Sequence, residues 1–267
     1  MLNISERSTS IVIPVCNQLF LTKQSVQAIL DNTLAPYELV IVDNGSTDGT
    51  YEYFESLKQT VPVAYIRHDK NIGVVKAFNE GIKASKGKYV CTFHNDAIIQ
   101  EKDWLGKMMY VFNLDEKIGL IGLAGRQLID RKGRVDESTL VHSLTNEGLD
   151  TAPMTAIATE VATIDGFCFF TTKEIFEKMG ALDEVYIYMH TFDLELSLKM
   201  IKNGYKNVIA NVKCLHINNG GNTRKTEQYR TIVPDDLALL NKNNSIFFKR
   251  WKRFLPVDKR NAPVIKA

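Results

Sequence analysis

Short apolar runs alternate with amphipathic stretches over the first hundred residues. SIVIPV, ELVIVD, VAYIRH and KYVCTF are rich in β-branched and aromatic residues, and each reads as a strand. Between them, LFLTKQSVQAILDN brings Leu21, Val26, Ile29 and Leu30 onto one helical face. TYEYFESLKQ predicts a second helix with Asp48 as its cap, and NIGVVKAFNEGIKASKG a loop and a third helix closed by Gly87. Strands alternating with helices imply right-handed crossovers and a mainly parallel sheet. In such sheets ligands bind beyond the carboxyl ends of the strands. That places Pro14 to Asn17, Asp43 to Asp48, His68 to Asn71 and His94 to Asp96 on one rim.

The second half is less regular. KIGLIGLAG reads as a strand and turn, and residues 126–160 as a long, polar, poorly periodic loop of the kind that often carries function. ATEVATIDGFCFFTTKEIFEKMG predicts strand, turn, strand and helix. FDLELSLKMIKNGYKNVIANVKCLHI predicts a helix, a stop at Gly204, and one or two strands. From Thr223 the chain reads as helical and increasingly basic. The expectation is one α/β domain over residues 8–222, with a mixed, mainly parallel central sheet flanked by helices, and a basic helical extension over 223–267.

Composition narrows the class. The chain has 267 residues, 45% of them hydrophobic and 24% charged, enough for a core and an ordinary surface. A net charge of +2 gives no case for nucleic acid. Cys16, Cys91, Cys168 and Cys214 form no CxxC pair and read as buried thiols in a reducing compartment. MLNISERSTS lacks the apolar core of a signal peptide, and no apolar run reaches the roughly 18 residues of a membrane span. A cytoplasmic protein is expected, with any membrane contact peripheral, at the inner face. The tail SIFFKRWKRFLPVDKR interleaves aromatic and basic residues. It reads either as a segment meeting anionic lipid or as a helix packed on the domain with a solvated basic face.

Familiar phosphate-binding patterns fail. There is no GxGxxG, and GIKASKGK has the wrong glycine spacing for a P-loop. IVIPVCNQ, VIVDNGSTDGT and NIGVVKAFNEGIKASKGKYVCTFHND instead resemble, in order, the nucleotide-sugar half of the inverting family 2 glycosyltransferases, rhamnosyltransferase-like members among them. IDGFCFFTTKEIFEKMGALDE, FDLELSLKMIKNGY and CLHI continue the resemblance to about residue 220. The resemblance implies a GT-A fold. It also implies transfer of a sugar from a UDP- or dTDP-linked donor to a saccharide or lipid-linked acceptor, in surface polysaccharide or glycoconjugate synthesis.

Chemistry assigns the parts. Expelling a diphosphate builds charge that a divalent cation neutralises, and the acceptor hydroxyl needs a general base. The resemblance puts Pro14, Val15, Asn17, Asp43, Asn71, Gly73, His94 and Asn95 on the donor, with Asp43 at the nucleoside. Asp43 closing its own turn is the competing assignment. Asp96 matches the last aspartate of a DxD signature and His216 a late-strand histidine, and together they imply Mn²⁺ or Mg²⁺. His94 replaces the first aspartate and reads equally as a ligand contact or a structural histidine. Asp193 takes the place of the catalytic aspartate, with a plain helix cap as the alternative, and Phe192 replaces the usual glutamate before it. Asp165, Gly166 and Glu195 fall on the acceptor side. Two other functions compete: a non-catalytic nucleotide-sugar-binding protein, and a sugar nucleotidyltransferase, for which PVCNQLF lacks the glycine-rich basic loop.

Overall fold

A computed structural model describes residues 8–147, 149, 152–186, 188–217 and 226–265. The first half alternates as expected: β1 (Thr9–Val15), α1 (Leu19–Asn32), β2 (Tyr37–Asp43), α2 (Thr50–Leu57), β3 (Val63–Arg67), α3 (Val74–Ala84) and β4 (Tyr89–Phe93). Then come β5 (Ala97–Ile99), α4 (Trp104–Phe112), β6 (Ile118–Gly122), β7 (Ala124–Arg126), β8 (Leu128–Ile129), β9 (Leu140–His142), β10 (Ala158–Val161), β11 (Thr163–Ile164) and β12 (Cys168–Thr172). The chain continues through α5 (Lys173–Met179), α6 (Phe192–Lys202), β13 (Lys206–Ala210), β14 (Cys214–His216), α7 (Glu227–Ile232), α8 (Asp236–Trp251), β15 (Val257–Asp258) and β16 (Val264–Ile265).

Among the described residues, nine strands form the central sheet in the order β16-β10-β13-β6-β12-β4-β1-β2-β3. The β4-β1-β2-β3 half is parallel, whereas β12 runs antiparallel to both β4 and β6. The central strands are buried on both faces, which is why their sequences are continuous apolar runs. Helix α3 lies close on β1 because Gly81 has no side chain: a Cβ there would stand 2.1 Å from Val12 Cγ1.

Two expectations need correction. The 126–160 stretch is not one long loop: β7 pairs with β9 and β11 in a small second sheet, and β8 pairs with β15. The C-terminal segment is not purely helical, since β16 extends the main sheet beside β10. Its helix packs inward through Phe247 and Trp251, 1% and 6% exposed, so the segment is built into the domain. No helix among the described residues is long and apolar enough to cross a membrane.

Candidate active site

Beyond the carboxyl ends of β1 and β4 lies a cavity of about 310 Å³. Pro14, Val15 and Cys16 enter it from the end of β1, Asn71 and Gly73 from the approach to α3, and His94, Asn95 and Asp96 from the turn after β4. The facing wall carries Asp165, Gly166, His190 and Asp193. Gly73, at φ 89°, brings the start of α3 against that wall, and a Cβ there would stand 2.8 Å from Tyr188 Cα. Val74 N–H donates to the Tyr188 carbonyl at 2.9 Å across this approach.

One corner gathers His94, Asp96 and His216, whose ligand atoms lie within 4.8 Å of one another. Antiparallel pairing of β14 with β5 sets His216 opposite Ala97, directly beside Asp96. His216 Nε2 stands 3.3 Å from Asp96 Oδ1, and His94 Nδ1 stands 3.8 Å from it. Among the described residues, the Nε2 atoms of both histidines are buried without a hydrogen-bond partner. Buried imidazole nitrogens beside a carboxylate fit a divalent cation. Burial, reinforced by His216 and opposed by Asp96, pushes His94 down to about 4, leaving a neutral imidazole near neutral pH.

Second contacts hold these rings. Phe167 stacks on His216 at 4.3 Å, and Phe78 lies over His94 at 6.0 Å. Asn146 clamps the His216 backbone, donating to its carbonyl at 2.6 Å and accepting from its N–H at 3.1 Å. Asn146→Ala is expected to weaken Mn²⁺ binding about 10–100-fold, as loss of such supports does. Calorimetric titration of the folded variant with Mn²⁺ checks this.

Across the cavity, Asp193 is the second residue of α6 and Thr191 its cap. The cap lies at φ 70° and makes no side-chain capping bond, and the carboxylate of Asp193 accepts from Leu194 N–H at 2.9 Å. Burial and the neighbouring Asp165 carboxylate push Asp193 up to about 6, against the pull of backbone N–H groups including those of Leu194 and Gly166. Gly166 makes room here: a Cβ would lie 2.6 Å from the Phe192 ring and 3.4 Å from Asp193 Cβ. Phe192, which replaces the usual glutamate, packs against Phe78 and Phe169 and anchors the helix start.

A second cavity, of about 500 Å³, adjoins the first. Asp165, His190 and Asp193 line both. Its outer walls are Arg126, Lys132, Arg134 and Glu137 on one side and Leu240 and Asn244 of α8 on the other. Arg126 is fixed by Asp165 and by Glu137, to which it donates at 2.9 and 2.7 Å.

Three expected site residues lie outside both cavities. Asn17 ties the end of β1 to the next turn, accepting from Thr47 N–H at 2.8 Å. Asp43 is fully buried: Oδ1 accepts from Ser46 N–H at 2.8 Å and Oδ2 from the Tyr65 hydroxyl at 2.5 Å. Asp43 therefore does close its own turn. Asp48 does not cap α2; it accepts from Leu19 N–H at 2.8 Å, at the start of α1. Glu195 lines neither cavity. It is 3% exposed and accepts from the Tyr186 hydroxyl at 2.6 Å and Trp251 Nε1 at 2.7 Å. Glu195→Ala leaves two buried donors unsatisfied and is expected to destabilise the fold by about 2 kcal/mol, read from the urea midpoint. Sequence reasoning missed His190, Tyr229 and Ile232, all cavity residues. The last two follow Thr223, in the basic helical extension expected either to pack on the domain or to meet a membrane.

The glycosyl transferase family 2 profile matches residues 10–180, more than half of the chain. An uncharacterised glycosyltransferase of Rickettsia prowazekii is 26% identical over 92% of this chain and 77% of its own length. An uncharacterised protein of Sinorhizobium fredii is 26% identical over 74% of this chain, a match that spans only 23% of that protein. An uncharacterised glycosyltransferase of Rickettsia bellii matches 51% of this chain at 28% identity, across 19% of its own length. Among solved structures, GalNAc-T7 with UDP, GalNAc and Mn²⁺ superposes with a TM-score of 0.65 at 15% identity, covering 91% of this chain and 50% of that one. A Pyrobaculum calidifontis mannosyltransferase in complex with GDP-Man and Mn²⁺ gives a TM-score of 0.58 at 17% identity, covering 92% and 69%. At such identities the likeness shows the fold alone, and that fold is GT-A. The profile match, over more than half of its length, places this chain in glycosyl transferase family 2.

Proposed function

We propose that the chain is an inverting, metal-dependent glycosyltransferase that moves a sugar from a nucleoside-diphosphate donor to an acceptor hydroxyl. UDP- and dTDP-sugars are the first candidates, and the setting is surface polysaccharide or glycoconjugate synthesis. The observation that carries the reading is the position of Asp193, a carboxyl shared by two adjoining cavities whose inner one ends in a His-Asp-His cluster. The inner cavity suits the donor and the outer one a saccharide or lipid-linked acceptor.

Asp96 and His216, with His94 beside them, would hold the cation, which when bound neutralises charge on the departing diphosphate. Asn71, Gly73 and the end of β1 would hold the nucleoside diphosphate, with Asp43 bracing the turn behind it. Ionised Asp193 takes the acceptor proton as the hydroxyl attacks the anomeric carbon from the face opposite the diphosphate, which inverts the configuration. Arg126 fixes Asp165, whose carboxylate in turn keeps the base poised.

The base must be ionised, so kcat/KM is expected to fall as pH drops below about 6, the value at which Asp193 is held. Asp165→Asn removes the repelling carboxylate and is expected to move that acid limb to lower pH. A pH–rate profile of both proteins checks the direction.

A thermal-shift screen of UDP-, dTDP- and GDP-sugars, with and without Mn²⁺ or Mg²⁺, tests the donor assignment, because ligand binding to the native state raises apparent stability. No response to any combination would sink it. On the outer surface, Phe248 and Phe254 are 38% and 36% exposed among the exposed Lys249, Lys252 and Arg253. This arrangement supports peripheral contact with an anionic membrane at the cytoplasmic face, where a lipid-linked acceptor would be met.

A further inference from the structure

The segment that delivers Asp193 to the cavities holds three non-glycine residues in left-handed backbone: Tyr188 at φ 64°, His190 at φ 70° and Thr191 at φ 70°. Residues with side chains seldom adopt this region, β-branched threonine least of all, and the conformation persists where neighbours over-determine it. Here the restraint comes from α8. Asn243, 1% exposed, donates through Nδ2 to the Met189 carbonyl at 2.9 Å and the His190 carbonyl at 3.2 Å. The Thr191 hydroxyl donates to Asn244 Oδ1 at 3.0 Å. His190 Nε2 meets Asp236 Oδ1 at 2.7 Å, and Asp236 also accepts from the Tyr229 hydroxyl at 2.6 Å. Positions 236, 243, 247 and 251 share one helical face, and Trp251 carries the contact on to Glu195 within α6. None of these α8 residues falls within the matched family region, 10–180.

We infer that α8 is part of the catalytic machinery, with Asn243 as a positioning residue that fixes the Met189–Thr191 turn and, through it, the carboxylate of Asp193. The inference rests on the reading of Asp193 as general base. Its physical content is a division of labour. In the proposed reaction the His94–Asp96–His216 corner and the end of β1, which line one side of the cavity, would hold the donor. The base stands on the opposite wall, on a backbone turn that its own residues would not choose, and a helix from outside the family region holds that turn. A base displaced by about 1 Å can lose on the order of 100-fold in rate without any change in donor binding. Loosening the turn also admits water to a carboxyl that burial keeps near 6, so its titration should drift toward the ordinary 3.8.

The test uses the full chain with Mn²⁺ and compares Asn243→Ala with Asn244→Ala. Asn244 is exposed, so the second variant removes the Thr191 contact and trims the outer cavity wall without opening the core, and the donor-hydrolysis readout does not involve that wall's acceptor. Hydrogen exchange needs no substrate and reads the turn directly: amides of residues 188–196 are expected to exchange about tenfold faster in Asn243→Ala, with those around Asp96 and His216 unchanged. Hydrolysis of UDP-glucose or dTDP-glucose, whichever is turned over faster, reads the chemistry. In Asn243→Ala, kcat is expected to fall about 10–100-fold with KM for that donor nearly unchanged, and the acid limb to shift to lower pH. Asn244→Ala should move the same quantities the same way by less. Unchanged exchange at 188–196, an unmoved acid limb, or a kcat loss that merely tracks the unfolded fraction would overturn the inference. Asp193→Asn separates the two ideas. If that variant is inactive and Asn243→Ala behaves as the parent, only the positioning role fails; if Asp193→Asn stays active, the base assignment itself fails.

Discussion

Asp193→Asn is expected to lower kcat by about 10²–10⁴-fold, the usual worth of a general base, while making the protein more stable above neutral pH. The two effects share one cause. Asp193 is held at about 6 in the folded chain against an ordinary 3.8, because burial and Asp165 both disfavour its charge. A carboxyl whose folded value is raised binds its proton more tightly when folded. Its stabilising contribution is therefore complete below 3.8 and is lost as pH rises through about 6. Above that, the ionised group destabilises the fold by on the order of 2–3 kcal/mol, and an uncharged asparagine of the same shape does not. Asparagine also keeps an oxygen for the Leu194 N–H, so the helix start is preserved. Urea unfolding should show the variant gaining on the parent as pH rises from 3.8 to about 6 and keeping that gain above it. A variant that keeps its turnover, or that is less stable than the parent at every pH, removes the base assignment.

How much of this could be read beforehand depends on the kind of contact. The parallel half of the sheet was legible because β1, β2 and β4 are continuous apolar runs separated by amphipathic helices. That pattern alone put Pro14, Asn71 and Asp96 on one rim. Motif order then found His216, which β14 carries back to Asp96 from far along the chain. Glu195 lies apart from the cavities that Asp193 lines, because residues two apart on a helix face away from each other. Asp43 depended on register. Tyr65 sits beside Ile41 in the parallel pairing of β2 with β3, close enough for its hydroxyl to reach that carboxylate, and no sequence pattern records this. Strands such as β8 and β11 span two residues each, too short to show any period. In α8 the inward stripe was obscured because one of its buried members is the polar Asn243.

Asp96→Ala is expected to abolish metal-dependent turnover, a loss of about 10³-fold or more, with little change in fold. Asp96 is the one carboxylate in the His94–Asp96–His216 cluster, so its removal leaves two imidazoles and no negative charge opposite a divalent cation. Hard divalent ions favour oxygen ligands, and the variant should bind Mg²⁺ more poorly than Mn²⁺, for which imidazole is an adequate partner. Backbone contacts argue that the fold survives: the Asp96 carbonyl accepts from Ile217 N–H at 2.9 Å whatever its side chain. The β5–β14 pairing that carries His216 is likewise made by the main chain. Calorimetric titration with each ion, followed by turnover in chelator and after re-addition of Mn²⁺, separates loss of the ligand from loss of the cation. Parent enzyme treated with chelator should fall to the level of Asp96→Ala and recover with Mn²⁺, while the variant should not recover. If the parent is indifferent to chelator and Asp96→Ala turns over normally, the cluster is a polar turn and the diphosphate must be stabilised by other groups of the cavity.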